Sequence, residues 1–597
     1  MSAENRFLRR RHGDQGGYVA VLVAFFAAAL LLPLCAISVD VARWYVEVQR
    51  VQNAADAAAT AGVTYLPDDF ASAKATAIAV ATKNGYPNSG TSSVAVSIGD
   101  KPTQLVVTIR STIRNAFGSS FGVGTQTLVR GATADFNGPV LMGSPCNAFG
   151  NEPPGTGTTD QHGPATPVSQ IVAPPGGAQC TSNPQFWGAI AGPDTPKSNG
   201  DEIMTRNCSF SGAGCTGSTN DEFDPQGYFY VVRVGTSAVG TPVTLQIYDP
   251  AWVENGDNCE NAPTGTMKNN MNNYTTSDGL QRYKLTPSGG SPNSFCTGDV
   301  NNGTANVDGI TTSYGMRLPT DTYNPKVATP MTSCERQYQP YYAAASGSGN
   351  GTFSGVSNAT LDKSKGKYND NLAKVYHQWV KLCTFTPTVA GDYYLQVRTN
   401  VKLGGTPDGE GGYDNNPNVF SQTGDDTSVG GTGNNRFSLR ITGAQRSAVS
   451  IAGYQAMGIY ANYTGANTTF NLVRVVPAAA TKTLNIGFYD VGDASNPGTV
   501  QVLPPLDSNM GASLSSCTGA GVVTGTITNC KLTNVSSGNG WNGQYENLKI
   551  PIPNSYTCNY SQAGGCWFRL VVNFPGGVND TTTWTASIDG DPIRLIK

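Results

Sequence analysis

The chain has 597 residues, 13% of them charged, and a formal net charge of −3. This length exceeds that of one typical domain, so we expect several domains. Nucleic acid is not an expected partner, because the chain lacks the basic excess of nucleic-acid-binding domains. Low charge together with 71 glycine and 36 proline residues is typical of secreted β-rich modules joined by turns.

The first predicted element is an apolar helix near the N-terminus. Residues 15–39 carry no charged side chain. A helix of about 25 residues is about 37 Å long and can cross a hydrocarbon core of about 30 Å. We therefore predict a single-pass transmembrane helix over residues 15–39 of a cell-membrane protein. A cleaved signal peptide is the alternative, although the run is longer than a usual h-region and has no clean Ala-x-Ala site at its end.

The residues before this helix predict its orientation. Arg6, Arg9, Arg10 and Arg11 precede the apolar run. Because positive residues favour the cytoplasmic side, residues 1–14 are predicted to be a cytoplasmic tail. The rest of the chain is then an extracytoplasmic body.

An apolar seam continues beyond the predicted span. Its residues follow one another at spacings of three and four, which is typical of a helix face that packs on another element. They are Val41, Trp44, Val48, Val51, Ala55, Ala58 and Gly62, and polar side chains of the same segment are Asp40, Arg43, Gln52, Asn53 and Asp56. We predict one long helix that leaves the membrane and binds a partner through these residues. The alternative is that the helix packs only on its own domain.

Three runs of this region carry a family resemblance. They are Gly16-Gly17-Tyr18-Val19-Ala20-Val21, Val39-Asp40-Val41-Ala42-Arg43 and Gln52-Asn53-Ala54-Ala55-Asp56-Ala57-Ala58. The segment resembles the N-terminal segment of TadG-like proteins of the bacterial Flp (Tad) pilus-assembly system. The resemblance implies a membrane protein with an extracytoplasmic body whose partners are pilus-assembly proteins or pilins. Unlike the cleaved pseudopilins of that system, the chain has no acidic residue five positions after Gly16 or Gly17.

The cysteines predict an oxidising compartment. One of the 13 cysteines, Cys35, lies in the predicted span. The others are Cys146, Cys180, Cys208, Cys215, Cys259, Cys296, Cys334, Cys383, Cys517, Cys530, Cys558 and Cys566. An even extracytoplasmic set is typical of a disulfide framework. Proximity in sequence favours the pairs Cys208–Cys215, Cys517–Cys530 and Cys558–Cys566.

Residues 40–136 are predicted to form a small pilin-like α+β unit. An alanine-rich stretch over residues 68–83 predicts a second helix, and alternating residues predict strands at 94–98, 105–109 and 127–136. Residues 137–200 are rich in proline and glycine, so we predict an extended arm there.

The remaining chain contains an internal repeat. A shift of 241 residues aligns 229–234 with 470–475, and 245–249 with 486–490. A weaker similarity relates residues 393–400 to 567–573 at a different offset. We predict a mainly β fold with two tandem β-sandwiches of the jelly-roll or immunoglobulin-like kind. They would occupy residues 201–445, with an insertion at about 254–376, and residues 446–597.

No residue pattern predicts catalysis. The histidines His12, His162 and His377 have no convincing triad partner, and the Gly-x-Ser-x-Gly run at residues 118–122 is more typical of a loop than of a nucleophile elbow. We therefore expect a non-enzymatic protein.

Ligand-binding residues are less clear. Carboxylates and an amide could bind Ca²⁺, but such residues are also common in turns, so no cofactor is expected beyond this calcium option. They are Asp249, Asp408, Glu410, Asp414, Asp425, Asp426, Asp490, Asp493 and Asn496. Aromatic residues that could stack on sugars, or pack in the core instead, are Trp252, Tyr338, Tyr341, Tyr342 and Trp541.

Two functions follow from these features. The first is a membrane-anchored component of Flp/Tad pilus assembly or surface attachment, with the long helix as its interaction surface. The second is a surface adhesin or carbohydrate-binding protein, in which the sandwiches bind cell-surface glycans and the helix is only an anchor.

Overall fold

The structure is a computed structural model of the chain. It describes residues 15–66, 70–99, 104–136, 140–151, 170–174, 180, 186–208, 213–253, 299, 309–320, 324–341, 368–422, 424–589 and 593–595. The chain divides into two compact units. The first consists of residues 1–137 and 590–597, and the second of residues 138–589.

The described helices and strands have the following bounds. The helices are α1 (Gln15–Phe26), α2 (Leu32–Val63), α3 (Phe70–Lys83) and α4 (Asp370–Val375), and a π-helical turn (Ala27–Leu31) joins α1 to α2. The strands are β1 (Ser92–Ile98), β2 (Gln104–Arg114), β3 (Thr125–Phe136), β4 (Leu141–Met142), β5 (Ala148–Phe149), β6 (Phe186–Ala191), β7 (Cys215–Thr216), β8 (Thr219–Asn220), β9 (Tyr228–Val234), β10 (Val243–Tyr248), β11 (Thr312–Arg317), β12 (Pro330–Tyr338), β13 (Trp379–Phe385), β14 (Gly391–Arg398), β15 (Thr406–Pro407), β16 (Tyr413–Asp414), β17 (Asn434–Thr442), β18 (Val449–Tyr454), β19 (Ala456–Arg474), β20 (Thr483–Tyr489), β21 (Gly498–Leu503), β22 (Ser516–Gly521), β23 (Gly525–Thr528), β24 (Lys531–Val535), β25 (Tyr545–Pro551), β26 (Trp567–Ile588) and β27 (Ile593–Leu595).

The first unit is built on one long helical segment. Helix α1, the π-helical turn and α2 follow one another without a break, as the sequence predicts. The segment 17–63 is long and apolar enough to cross a membrane. Large apolar side chains of its N-terminal half are exposed, among them Leu22, Phe25 and Leu34. Exposure of such residues is what a lipid-facing helix requires.

The second half of this helix packs on a small sheet. Strands β1, β2, β3 and β27 form an antiparallel sheet in that order, and α2 packs against both this sheet and α3. The predicted second helix and three strands are therefore present. Strand β27 differs from expectation, because we placed residues 446–597 in the second sandwich. Its backbone instead extends the sheet of the first unit, with Ile593 opposite Phe136.

The second unit contains the repeat that the sequence predicts. In the first copy, β9 pairs with β14, and β10 pairs with β13 and β17. In the second copy, the end of β19 pairs with the start of β26, and β20 pairs with β25 and with the end of β26. A 3-10 turn follows the first strand of each copy, at Thr236–Ala238 and at Pro477–Ala479. These turns share the offset of 241 residues, so the two copies have the same strand arrangement.

The copies are not separate compact bodies. Strand β18 follows the predicted boundary at residue 445, yet it pairs with β9 of the first copy. Strand β6 pairs with β17 and also with β19. Backbone hydrogen bonds therefore join the two copies, and contacts place residues 138–589 in one unit.

Parts of the predicted arm and insertion also belong to this sheet system. Phe149 in β5 and Trp187 in β6 are fully buried, although we assigned residues 137–200 to an extended arm. Strands β11 and β12 fall inside the predicted insertion, but β11 pairs with β14 as β21 pairs with β26 in the second copy. Apolar side chains in short runs outweighed the proline- and glycine-rich composition on which our assignment depended. The stretches 152–169, 254–298 and 342–367 lie outside the described residues.

Disulfide bonds connect the body as expected for a protein of an oxidising compartment. The three pairs predicted by proximity are present, together with Cys146–Cys180 and Cys334–Cys383. Cys35 is a free, exposed cysteine of the apolar helix. Cys259 and Cys296 lie outside the described residues.

Buried carboxyl groups of the second unit predict how its stability changes with pH. Burial raises the pKa of Glu546 to about 7, although its carboxylate accepts a hydrogen bond from the Val523 amide at 2.8 Å. Because the folded state binds this proton more tightly than the unfolded state, stability falls as pH rises from the ordinary pKa through about 7. We expect the denaturant midpoint of the second unit to be higher at about pH 5 than at about pH 8. The variant Glu546→Gln should show a smaller difference, and an unchanged difference would contradict this assignment.

Candidate functional site

The seam of α2 has two halves in different surroundings. In the half far from the apolar segment, Val51, Ala55 and Ala58 are fully buried. They belong to the core of the first unit, which also contains Leu105 of β2 and Ala77 of α3. These seam residues therefore pack on their own unit, as the alternative interpretation of the sequence proposes. They are not available to a partner in this fold.

The contacts of Gly62 explain why the side chains of the seam become small toward its end. A Cβ atom at this position would lie 2.6 Å from the carbonyl oxygen of Ala73 in α3 and 2.6 Å from Leu105 Cδ2. Only glycine permits this approach of α3 and β2. The close backbone contact that the small residues predict is thus a contact within the unit.

Asp40 binds a loop next to the end of the apolar segment. Its carboxylate accepts hydrogen bonds from the backbone amides of Ala116 (2.7 Å), Phe117 (3.0 Å) and Gly118 (2.7 Å). Burial raises the pKa of Asp40, but these hydrogen bonds and the charge of Arg43 lower it to below its ordinary value. Asp40 therefore remains ionised and positions the loop.

This contact also assigns a role to the Gly-x-Ser-x-Gly run. Residues Gly118–Phe121 form a 3-10 turn whose first amide binds Asp40. A nucleophile elbow would need a strand-to-helix turn on an α/β sheet, whereas this loop joins the antiparallel strands β2 and β3. The run is therefore part of the Asp40-bound loop.

Other polar groups attach the middle of α2 to the sheet. Trp44 Nε1 donates to Asn115 Oδ1 at 2.8 Å. Glu47, which we did not predict as a site residue, accepts hydrogen bonds from the hydroxyls of Tyr86 (3.1 Å) and Ser111 (2.8 Å). Burial and the neighbouring Glu47 charge raise the pKa of Tyr86 to about 12, so Tyr86 stays a donor.

Gln52 and Asp56 contact each other along the helix. Gln52 Nε2 donates to Asp56 Oδ1 at 2.8 Å and to the Gly131 carbonyl of β3 at 3.2 Å. Their amide and carboxylate thus contribute to intramolecular attachment. Val48, near the middle of the seam, is half-buried.

An exposed strip remains along α2 between Val41 and Asn53. Val41, Tyr45 and Val46 are 47%, 69% and 50% exposed, and Arg43 and Asn53 are also exposed. Residues 41, 45, 49 and 53 recur every four positions, so they lie along one side of the helix. Tyr45 and Val46 were not among the predicted site residues, because they belong neither to the seam nor to its predicted polar residues. The strip is thus part of the α2 surface that its own unit leaves uncovered.

The other predicted site residues are mostly packed or paired. Trp252, Tyr338, Tyr341 and Trp541 are buried, so they do not form a sugar-stacking surface, and Tyr342 lies outside the described residues. His377 is buried with Nε2 at 3.6 Å from Asp249 Oδ2, whereas His12 and His162 lie outside the described residues.

Most predicted calcium ligands are engaged by other protein groups. Asp408 pairs with Arg336 at 2.9 Å, and Asp425 pairs with Arg206. Asp414 accepts from Thr406 and Asn415. Asp490 and Asp493 differ, because they come together with Asp580, which the sequence did not single out.

The variant Gly62→Ala tests the internal packing of the seam. The added methyl group would overlap the Ala73 carbonyl, so we expect the first unit to lose about 1–3 kcal/mol of stability. Chemical unfolding of the full-length protein in nanodiscs, followed by hydrogen exchange of α2, measures this loss. Asn53→Ala, an exposed substitution on the same helix, should have little effect. Equal stability of both variants would contradict the packing of Gly62.

The variant Asp40→Asn tests the loop contact. Loss of the charged acceptor should speed hydrogen exchange at the amides of residues 116–118, whereas Arg43→Gln should change it much less. In the wild-type protein the contribution of Asp40 exists above its ordinary pKa and is lost as pH falls through the lowered folded value. Exchange rates corrected for intrinsic pH dependence should therefore rise at low pH. The same rates in Asp40→Asn and wild type would show that the carboxylate does not hold the loop.

Comparison with known proteins gives one match. Residues 17–73 match the Tad family, described as Flp pilus-assembly TadE/G-like. No curated protein and no solved structure matches the chain. The matched residues comprise the apolar helix, the whole of α2 with its sheet-facing seam and exposed strip, and the start of α3. The N-terminal segment of this chain is therefore TadE/G-like, as its residues predict.

Proposed function

We propose that the chain is a non-enzymatic, single-pass membrane component of Flp/Tad pilus assembly with an extracytoplasmic body. The observation that carries this proposal is the family match over residues 17–73, which coincides with the long helix. Arginines before the apolar segment favour a cytoplasmic N-terminus. Disulfide bonds among the described residues of the body favour the same orientation, because disulfides persist in oxidising compartments.

The partner-binding surface in this proposal is the exposed strip of α2. Of the residues first assigned to this role, it retains Val41, Arg43 and Asn53. It also includes Tyr45 and Val46. It excludes Val51, Ala55 and Ala58, because these residues are buried in the core of the first unit. The partner would be a pilin or an assembly protein that contacts the strip with an apolar surface next to the membrane.

Distances along the helix separate a protein partner from a lipid contact. Tyr45 lies six residues beyond Val39, which is about 9 Å along a helix and within reach of lipid headgroups. Asn53 lies about 21 Å beyond Val39, farther than the headgroup layer extends. A partner that covers the whole strip would contact both positions, whereas lipid would contact only the first.

Site-specific photo-cross-linking in cells that display pili tests the surface. A photoreactive residue at Tyr45 or at Asn53 should yield the same protein adduct. Ile98, which is 46% exposed on β1, is the matched control and should not yield that adduct. Lipid adducts at Tyr45 with no protein adduct at Asn53 would contradict the partner surface.

A charge substitution provides the functional readout. Tyr45→Glu should reduce surface pili several-fold at unchanged protein level, since a buried unpaired charge at an interface opposes binding. Ile98→Glu should leave pilus display unchanged. Normal display in the Tyr45→Glu strain would exclude Tyr45 from the assembly contact.

A further inference from the structure

Three carboxylates converge at one end of the second repeat copy. Asp490 is the residue after β20, Asp493 follows in the same turn, and Asp580 lies in β26. One carboxylate oxygen from each residue lies within 4.8 Å of the other two. Asp580 is thus brought close to two residues that are distant from it in sequence by the pairing of β20 with β26.

Backbone hydrogen bonds hold two of these side chains in place. Asp580 Oδ2 accepts from the amides of Gly492 at 2.7 Å and Asp493 at 3.2 Å. Asp490 has a positive φ of 59°, and its Oδ1 accepts from the Gly543 amide at 2.6 Å. The turn and the neighbouring strand therefore orient the carboxylates before any ligand arrives.

The cluster has no protein cation. Asp580 is only 5% exposed, and its Oδ1 is buried without a hydrogen-bond partner. Among the described residues, no lysine or arginine forms an ion pair with any of the three carboxylates. A buried carboxylate oxygen without a partner costs free energy that a bound cation would offset. Burial and the neighbouring carboxylates raise the pKa values of Asp490 and Asp580 well above the ordinary range.

In the first repeat copy, other protein groups lie at the positions equivalent to this carboxylate cluster. Tyr248 pairs with Trp379 and Ser438, as Tyr489 pairs with Tyr545 and Thr583. Trp379 is therefore equivalent to Tyr545, and Ser438 is equivalent to Thr583.

At two equivalent positions the copies have different residues, and the residues of the first copy leave Asp249 without the need for a bound cation. His377 is the counterpart of Gly543 and Asn435 is the counterpart of Asp580. His377 donates its backbone amide to Asp249 as Gly543 donates to Asp490, and its imidazole Nε2 lies 3.6 Å from Asp249. Asn435 donates its side-chain amide to the Pro250 carbonyl at 3.0 Å. The first copy therefore has the neutral amide of Asn435 where the second has the carboxylate of Asp580. It also has the imidazole of His377 where the second has a glycine.

The first copy also has a second buried carboxylate, Asp299. This group is accompanied by the positive charge of Arg436, and it accepts hydrogen bonds from the amides of Val253 at 2.7 Å and Arg436 at 2.9 Å. Asp249 and Asp299 therefore each have a basic side chain nearby. In the part of the chain that the structure describes, Asp490, Asp493 and Asp580 have no ion pair with a basic side chain.

We propose that Asp490, Asp493 and Asp580 bind one Ca²⁺ ion. Ca²⁺ binds oxygen ligands at about 2.3–2.6 Å, so two of its ligand atoms can be up to about 5 Å apart. The separations within 4.8 Å satisfy this limit. Mg²⁺ suits such a site less well, because it demands near-ideal octahedral geometry at about 2.0–2.1 Å and gives up its water ligands reluctantly. Asp493 is exposed, so its side of the cluster is open for ion entry and for water to complete the coordination.

Asn496, which the sequence suggested as a further ligand, is not part of the proposed site. Its side-chain amide lies against Gly576, where a Cβ atom would be 2.4 Å from Asn496 Nδ2. Asn542 instead donates its side chain to Asp493. The ligand set from the protein is therefore the three carboxylates.

Calcium titration of the full-length protein in nanodiscs, after treatment with EDTA, tests the proposal. Isothermal titration with CaCl₂ should show one saturable site, and Ca²⁺ should slow hydrogen exchange at the amides of Gly492 and Asp493. Mg²⁺ should bind at least about tenfold more weakly. No saturable Ca²⁺ binding, or equal binding of the two ions, would overturn the assignment.

Two variants locate the ion. Asp580→Asn reproduces the residue of the first copy, and Asp493→Asn changes an exposed side chain, so both should fold. Each should weaken Ca²⁺ binding at least about tenfold. Asp589→Asn, an exposed substitution just after β26, should bind as wild type does. Wild-type affinity in both site variants would place the ion elsewhere and overturn the proposal.

Discussion

The helix of residues 15–63 must satisfy two different environments along its length. Its first part has apolar side chains on all sides, as a lipid environment requires. Its last part has one apolar face made of alanine and glycine, which allows a sheet and a second helix to approach closely. Asp40 stands at the change between these environments, where the amides of the 116–118 loop supply the hydrogen bonds that its carboxylate needs. The arrangement of the first unit follows from this transition.

The same constraint limits how the helix can contact another protein. Small seam residues are usually a sign of close helix association, but here α3 and β2 occupy that space. What remains is a strip near the apolar segment that combines Val41, Tyr45 and Val46 with polar neighbours. Any interaction surface on this helix is thus limited to the part that its own unit does not bury.

The second unit illustrates how a repeated strand arrangement can carry different chemistry. Both copies end an equivalent strand with an aspartate of positive φ, and both give it a backbone donor from the neighbouring strand. In one copy an imidazole stands beside the aspartate, whereas in the other two more carboxylates do so. Since buried like charges repel, the three carboxylates of the second copy would be stabilised by a cation, as we propose.

Local sequence patterns determined the long helix, the small α+β unit, the family resemblance, three of the disulfide pairs and the strands of the repeat. These features depend on neighbouring residues, on hydrophobic periodicity or on a specific motif, all of which are visible in one dimension. Tertiary structure alone decided that Ala55 and Ala58 face their own core, that Trp187 belongs to a sheet, and that residues 593–595 return to the first unit. It also brought Asp580 to Asp490 and Asp493. Each of these outcomes depends on strand pairing or packing between residues distant in sequence, and composition contains no information about which distant segments meet.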